Sequence, residues 1–305
     1  MRASTALALA CALVIAIALV PARAQEGDAK RAIYEAFSLV VEAHEAGGDV
    51  SELVEKLNKA IELLEGGDER GALELAEEAA REAPLVAEEG ARRTREAMLL
   101  YALAAVAIAA AAASLYLLVS RNWWRAWLRA RRKYRLVVRE RPAERKSMLL
   151  DEEVRAVALA VVVVAAVFAI SQALLAGRVV EPFSELGLLG REMKIGDYPR
   201  ELLVGERALL YVYVGNHMGR PMYYVVQVKV GDRETPIDPA PLEPVATFER
   251  VLLHNSTWIF PLEISFDEPG LNKRLIVELW IYNETAGEVQ YHGKWCQLWI
   301  NVTRP

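Results

Sequence analysis

The chain has 305 residues, of which 54% are hydrophobic and 25% charged, with a formal net charge of -5 at pH 7. Such a mixture argues against one globular domain and favours soluble parts joined to lipid-buried segments, while the small net charge neither favours nor excludes a nucleic-acid partner. The two cysteines, Cys11 and Cys296, lie in separate segments, so we expect no disulfide between them. We interpret Cys296 as a small buried apolar side chain rather than a cross-link to a second chain.

The N-terminal residues have the pattern of a secretory signal peptide. A basic Arg2 precedes an apolar run from Ala6 to Val20, and an Ala-x-Ala motif ends at Ala24. Because the run is short for a membrane-spanning helix, we predict a signal peptide over residues 1–24 that is cleaved after Ala24. An uncleaved anchor is the alternative.

Residues 25–97 have the periodicity of an acidic helical hairpin. Gly47-Gly48 ends a helix that begins near Arg31, and Gly66-Gly67 ends the next one. Asp68 has the side chain and the position of an N-cap for a third helix. We interpret the charged faces of these helices as solvated surface rather than a binding site.

Two long apolar segments, Met98–Val119 and Ala156–Ala176, are predicted as transmembrane helices because each has the length needed to cross a bilayer. Lys and Arg outnumber Asp and Glu in the intervening residues 120–155, and the reverse holds in 25–97. The positive-inside rule therefore predicts a cytoplasmic loop between two extracytoplasmic parts. The predicted localisation is the cell membrane, with the N-terminal and C-terminal domains extracytoplasmic.

The loop begins with tryptophans interleaved with arginines, a pattern typical of a membrane interface. We predict an amphipathic helix against the lipid bilayer and no nucleic-acid partner. The interface residues are Trp123, Trp124, Trp127, Arg125 and Arg129. Alanines at four-residue spacing in both apolar segments favour close helix packing, either within one chain or in a homo-oligomer.

Residues 177–305 carry short apolar runs separated by turn residues at a spacing near ten, which predicts an antiparallel β-sandwich of immunoglobulin type. The predicted strands are Arg207–Val214, Met222–Val230, Phe248–Leu253, Trp258–Phe266, Leu275–Tyr282 and Trp295–Val302. The predicted fold class is therefore an α+β multi-part membrane protein. It combines an extracytoplasmic helical hairpin, two transmembrane helices and a C-terminal immunoglobulin-like sandwich.

Alternation along the last two predicted strands identifies a candidate partner-binding patch. The inward positions are apolar, which leaves Trp280, Trp295 and Trp299, together with Glu278, on the opposite face. Alternation along Met222–Val230 in the same way gives one apolar face and leaves Lys229 on the other. An exposed group of aromatic side chains is typical of a contact with a protein or a sugar. Coverage of the three tryptophans by the helical hairpin or by long loops is the alternative.

Three Asn-x-Ser/Thr sequons lie in the same region, at Asn255, Asn283 and Asn301. The extracytoplasmic position predicted for this region makes the three asparagines candidates for N-glycosylation. Ordinary turn or strand-end asparagines are the alternative interpretation.

Several short motifs of the β-region resemble those of archaeal membrane proteins containing the domain of unknown function numbered 1616. Among them are Val214-Gly215-Asn216-His217, His254-Asn255-Ser256-Thr257-Trp258 and the stretch Tyr291–Trp299. The resemblance extends from Tyr101 to Thr303. It implies an extracellular immunoglobulin-like domain on a transmembrane anchor, and it implies no activity, cofactor or catalytic residue.

Sequence motifs of the common hydrolase and metal-enzyme classes do not occur, so no enzyme activity and no cofactor are predicted. His217, His254 and His292 with Glu249 are the candidate set for a metal site, although separate structural hydrogen bonds are the favoured interpretation. We predict a non-enzymatic, membrane-anchored cell-envelope module that binds an envelope protein or a glycan. The alternative is an accessory or sensor subunit of a membrane complex that couples the outer domain to the Trp/Arg-rich loop.

Overall fold

The structure is a computed structural model that describes residues 27–133, 163–164, 167–168, 171 and 181–304. Contacts divide the chain into two compact units, one formed by Met1–Thr94 with Val179–Pro305 and the other by Arg95–Arg178. The predicted signal peptide over 1–24 lies outside the described residues, as does most of the predicted loop after residue 133.

Three helices occupy residues 27 to 133: α1 over 27–45, α2 over Ser51–Glu65 and α3 over Glu69–Lys133. The glycine pairs end α1 and α2 as predicted, because Gly47 and Gly67 have φ angles of +88° and +82° that other residues rarely adopt. The Asp68 carboxylate accepts a hydrogen bond from the backbone N–H of Gly71 at 3.0 Å, which is the predicted N-cap.

The predicted fold class is wrong in its two transmembrane helices. The first predicted span, Met98–Val119, is a segment of the longer helix α3, which continues into charged sequence at both ends. The second, Ala156–Ala176, is described only at five helical positions. Across the residues that the structure describes, no helix is both long enough and apolar enough to cross a membrane. The predicted localisation in the cell membrane depended on those two spans and is therefore wrong as well. It had placed a cytoplasmic loop over 120–155 between two extracytoplasmic domains.

The β-domain consists of two sheets, in the orders β1-β3-β6 and β2-β8-β7-β4-β5. The strands are β1 Phe183–Leu189, β2 Glu201–Leu203, β3 Ala208–His217, β4 Met222–Gly231, β5 Ala246–Leu252, β6 Ser256–Ile264, β7 Gly270–Asn283 and β8 Glu288–Thr303. All six strands predicted from the sequence are present. The two that sequence reasoning missed are β1 and the three-residue β2, which pairs in parallel with the end of β8.

The inner faces of the two sheets form the sandwich core. Its side chains come from alternate positions along the strands, because successive residues of a strand point to opposite faces. They include Leu210, Val212, Val214, Tyr224, Val226, Val228, Leu275, Val277, Leu279 and Ile300. The apolar faces predicted for β4, β7 and β8 are therefore the faces that the structure buries.

The helices α1 and α2 pack on the outer face of the five-stranded sheet and share a second core with it. Tyr223 of β4 and Tyr282 of β7 belong to the same buried cluster as Phe37 of α1. The ring of Tyr34 stacks on Tyr282 with 4.1 Å between centroids, and the ring of Phe37 meets Tyr223 edge-on at 5.7 Å. The helical region and the β-domain are thus joined by one continuous apolar contact.

A carboxylate anchors this helix–sheet junction. Glu249 of β5 accepts hydrogen bonds from the Tyr223 hydroxyl at 2.5 Å and from the Lys30 ammonium at 2.7 Å. Burial, and after it the charge of Glu249, raise the pKa of Tyr223 well above its ordinary value. The phenol therefore stays protonated at physiological pH and remains a hydrogen-bond donor to Glu249.

Helix α2 also covers the free edge of β5. The side-chain amide of Asn58 donates to the backbone oxygen of Val251 at 2.9 Å and accepts from its backbone N–H at 2.8 Å. Because β5 is the last strand of its sheet, these two groups have no neighbouring strand to pair with. Asn58 provides the two hydrogen bonds that such a strand would provide.

Replacing Asn58 with leucine should destabilise the protein by about 1–3 kcal/mol, because both backbone groups of Val251 lose their partners while the side-chain volume is kept. Urea unfolding measures the loss, and hydrogen exchange at the Val251 amide should accelerate. The control is Lys59→Leu at the next, exposed position of α2. A loss no larger than that of the control contradicts the role assigned to Asn58.

Candidate ligand site on the outer sheet face

The three tryptophans of the predicted patch lie on the outer face of the five-stranded sheet. In the pairing of β7 with β8, Trp295 lies opposite Glu278 and Trp299 lies opposite Arg274, while Trp280 lies opposite Tyr291. Directly paired residues share a face. Alternation therefore placed the tryptophans on the correct face, and their binding of a partner remains a prediction.

The side chain of Trp280 is packed against its neighbours and does not form part of an open patch. Its indole N–H donates to a Glu278 carboxylate oxygen at 3.2 Å, and the Lys229 ammonium lies 5.3 Å from its ring centroid. The ring also packs against the core of the helix–sheet junction. For Trp280, the contacts therefore match the alternative interpretation, in which other parts of the chain cover the side chain.

A buried ion pair lies beside Trp280. The Lys229 ammonium donates to Glu278 at 2.9 Å and to the backbone oxygen of Ala240 at 2.8 Å, and the Ala240 N–H donates to Glu278 at 2.5 Å. Lys229 is 3% exposed and Glu278 is fully buried. Alternation predicted both side chains to face away from the sandwich, and the loop over residues 232–245, acting through Ala240, buries them there.

A cleft of about 400 Å³ lies around Trp299 at the β8 edge of the sheet, where its lining also includes Tyr198 and Leu298, which pack against the sandwich core. The volume lies within the range of small-molecule sites. We call it the Trp299 cleft, and it is lined by Tyr198, Arg200, Asn272, Gln297, Leu298, Trp299 and Asn301. Only Trp299 and Asn301 of this set were singled out from the sequence.

The aromatic walls of the cleft are held in place by their neighbours. The guanidinium carbon of Arg274 lies 4.2 Å from the ring centroid of Trp299, and Arg274 donates in turn to the backbone oxygen of Thr235 at 2.7 Å. The hydroxyl of Tyr198 donates to the backbone oxygen of Leu188 at 2.7 Å. Both rings are thus oriented before any ligand arrives.

The polar side chains of the cleft have unused hydrogen-bonding capacity. Within the described part of the chain, no hydrogen bond engages the side chains of Arg200, Asn272 or Gln297. The Asn301 amide oxygen accepts from the Asn272 backbone N–H at 2.9 Å, and the Asn301 amide nitrogen makes no hydrogen bond among the described residues. Asn272 itself has a φ of +56°, at an irregularity in the pairing of β7 with β8. These side chains are available to a bound molecule.

A second cleft, of about 450 Å³, lies between α2 and the strands β5 and β6. Its central amide, Asn58, is already paired with the backbone of Val251. The cleft around Trp299 is therefore the better candidate site.

The three histidines considered for a metal site make separate contacts. His217 pairs with the Asn255 amide oxygen at 3.0 Å, His254 accepts from the Gly219 backbone N–H at 3.1 Å, and His292 pairs with the Ser184 hydroxyl at 2.8 Å. Among the described residues, no group of three or more His, Cys, Asp or Glu side chains is placed to hold a metal ion. Burial also lowers the pKa of His292.

The three sequon asparagines have different surroundings, and their glycosylation remains a prediction. Asn255 is exposed in the turn between β5 and β6. The Asn283 amide nitrogen donates to Gln290 at 2.9 Å. Asn301 lines the Trp299 cleft, so a sugar attached to it would enter the cleft.

The predicted interface residues lie in the last part of α3, which continues unbroken to Lys133. They are Trp123, Trp124, Trp127, Arg125 and Arg129. The predicted contact with a lipid bilayer and the predicted homo-oligomer remain untested.

No curated protein matches the chain. Among solved structures, the CARDB domain of the PF1109 protein from Pyrococcus furiosus is similar at 14% identity and a TM-score of 0.29, over 40% of this chain and 89% of that one. A β-glucosidase from Listeria innocua is similar at 19% identity and a TM-score of 0.29, over 40% of this chain and 16% of that one. The β-glucosidase EmGH1 from Erythrobacter marinus is similar at 14% identity and a TM-score of 0.26, over 42% and 16% of the two chains.

The family comparison concerns the β-domain. The resemblance indicated by the short motifs is confirmed over part of its predicted extent, which began at Tyr101. Residues 178–301 match the family described as Domain of unknown function (DUF1616).

Proposed function

We propose that the chain is a non-enzymatic binding module that holds a protein or glycan partner in the Trp299 cleft. The main support for the proposal is that polar side chains without hydrogen-bond partners among the described residues surround the indole of Trp299, which Arg274 holds in place. Such a combination is typical of a recognition site, where an aromatic side chain supplies contact area and a few polar groups supply specificity.

The chemistry of the lining supports binding rather than catalysis. The residues that line the cleft include no carboxylate, imidazole or thiol, which are the usual groups for proton transfer or nucleophilic attack. The one hydroxyl, on Tyr198, is engaged with the backbone of Leu188. Amides and a guanidinium bind and orient a ligand without taking its protons at neutral pH.

The strand order is consistent with a binding module but does not by itself support one. The sheet β8-β7-β4-β5 beside β1-β3-β6 has the arrangement of the GFCC′ and ABE strands of an immunoglobulin-like sandwich. This architecture serves many unrelated functions, so the assignment depends on the cleft rather than on the fold.

The proposal is tested by comparing the full-length protein with a Trp299→Ala variant on arrays that display saccharides and peptides. We expect at least one ligand to bind the parent chain and to lose most of its signal with the variant. The control is Ile259→Ala, which removes an exposed apolar side chain from β6 in the opposite sheet. Ligands that bind all three proteins equally contradict the proposed site.

A further inference from the structure

We propose that the ligand of the Trp299 cleft is a neutral pyranose sugar unit, an inference that rests on the binding function proposed above. The Trp299 cleft offers three kinds of group to such a ring: two aromatic walls, a set of side-chain amides and one guanidinium. Each matches a different part of a pyranose.

The aromatic walls match the apolar side of the sugar. A pyranose presents a patch of C–H groups on one face, and an indole provides a large, rigid apolar surface for that patch. Arg274 fixes the plane of Trp299 from within the protein, so stacking a sugar on the indole does not require the ring to reorient. The cleft volume of about 400 Å³ has room for a hexose.

The amides match the hydroxyl groups. Each sugar hydroxyl is both a donor and an acceptor, and a carboxamide presents a donor and an acceptor side by side. Asn272 and Gln297 have both functions unpaired within the described residues, and Asn301 adds a free amide nitrogen. Since the lining contains no carboxylate and a single guanidinium, from Arg200, most of its hydrogen-bonding groups are neutral.

A peptide strand is the competing occupant. Along the part of β8 that lines the cleft, β7 is paired on one side, whereas the pairing with β2 covers Asn301–Thr303. A peptide would therefore meet an edge of β8 beside Trp299, where it can add a strand through backbone hydrogen bonds. The unpaired side-chain amides of Asn272 and Gln297 favour a hydroxyl-rich ring instead, and the competing peptides in the experiment decide between the two.

The experiment uses the full chain, made in a host without N-glycosylation so that Asn301 carries no sugar. Saturation-transfer NMR and calorimetry measure binding of neutral hexoses and their oligomers, with nucleosides and short peptides as competing ligand classes. We expect a neutral saccharide to bind. Its affinity should fall about tenfold or more in Trp299→Ala and about fivefold in Gln297→Ala, the loss expected for one hydrogen bond.

Two further variants separate binding from folding. Trp299→Phe keeps an aromatic wall and should retain most of the affinity. Trp295→Ala removes an indole from the same strand and face, outside the cleft, and should leave the affinity unchanged. A fall in affinity for Trp295→Ala equal to that for Trp299→Ala would overturn the assignment of the sugar to this cleft.

The outcomes also distinguish the sugar from the binding function itself. If a nucleoside or a peptide binds in a Trp299-dependent manner and no saccharide does, the sugar inference fails while the binding function stands. If no ligand of any class depends on Trp299, both fail.

Discussion

Replacing Glu278 with glutamine should lower the free energy of unfolding by about 3–5 kcal/mol, because it leaves the Lys229 ammonium buried without a counter-charge. Glu278 is fully buried, and its carboxylate accepts from Lys229, from the Ala240 backbone and from Trp280. The glutamine has nearly the same volume, so the loss reports on charge rather than on packing. For a folded unit of this size the thermal midpoint should fall by about 10 °C.

Two comparisons isolate the ion pair. The double variant Lys229→Met with Glu278→Leu removes both charges and should recover most of the stability, since a buried pair replaced by apolar side chains is often neutral or better. Glu263→Gln breaks an exposed pair with Arg207 at 3.6 Å and should change the stability little. If Glu278→Gln costs no more than Glu263→Gln, the ion pair does not hold the 232–245 loop on the sheet.

The same ion pair shows what alternation predicts and what it does not. Period-two patterning assigned Glu278 and Lys229 to the face opposite the sandwich core, and the structure places them there. Their burial depends on Ala240, in a loop with no regular pattern, which contacts the sheet through its backbone. A strand pattern identifies a face, and only tertiary structure decides whether that face meets water.

The residues of the Trp299 cleft also differ in whether the sequence predicts them. Trp299 was found by alternation along its strand and Asn301 because it begins a sequon, whereas Tyr198 and Arg200 come from the segment before β2, a strand too short to show a period. Asn272 enters the cleft through an irregularity in the pairing of β7 with β8. No local signal in the sequence predicts such a register shift.

The helices illustrate a different limit. Glycine caps and the Asp68 N-cap were predictable because each depends on a few adjacent residues. The two transmembrane helices were inferred from the length of apolar runs alone, and the described helices do not support them. The docking of the helices on the sheet was stated only as an alternative, as coverage of the tryptophans, since the aromatic side chains that join the two parts, such as Phe37 and Tyr223, lie far apart in the sequence.

That docking leads to the second large expected effect. Replacing Tyr223 with alanine should destabilise the protein by about 3–5 kcal/mol, as for other fully buried aromatic side chains. The ring is 1% exposed and meets Tyr34, Phe37 and Tyr282, so its removal opens a cavity between α1 and the sheet. Chemical denaturation measures the total loss, and hydrogen exchange should show faster opening of α1 amides than of β3 amides.

The controls separate the ring from its hydroxyl. Tyr223→Phe keeps the aromatic contacts and removes only the hydrogen bond to Glu249, which Lys30 continues to neutralise, so the loss should be about 1–2 kcal/mol. Tyr211→Ala truncates a half-buried tyrosine on β3, away from the helices, and should leave α1 exchange unchanged. Equal acceleration of α1 exchange in Tyr223→Ala and Tyr211→Ala would mean that α1 opens only with the whole protein. An acceleration confined to Tyr223→Ala places the attachment of α1 at this ring, which contacts both Tyr34 and Phe37 of that helix.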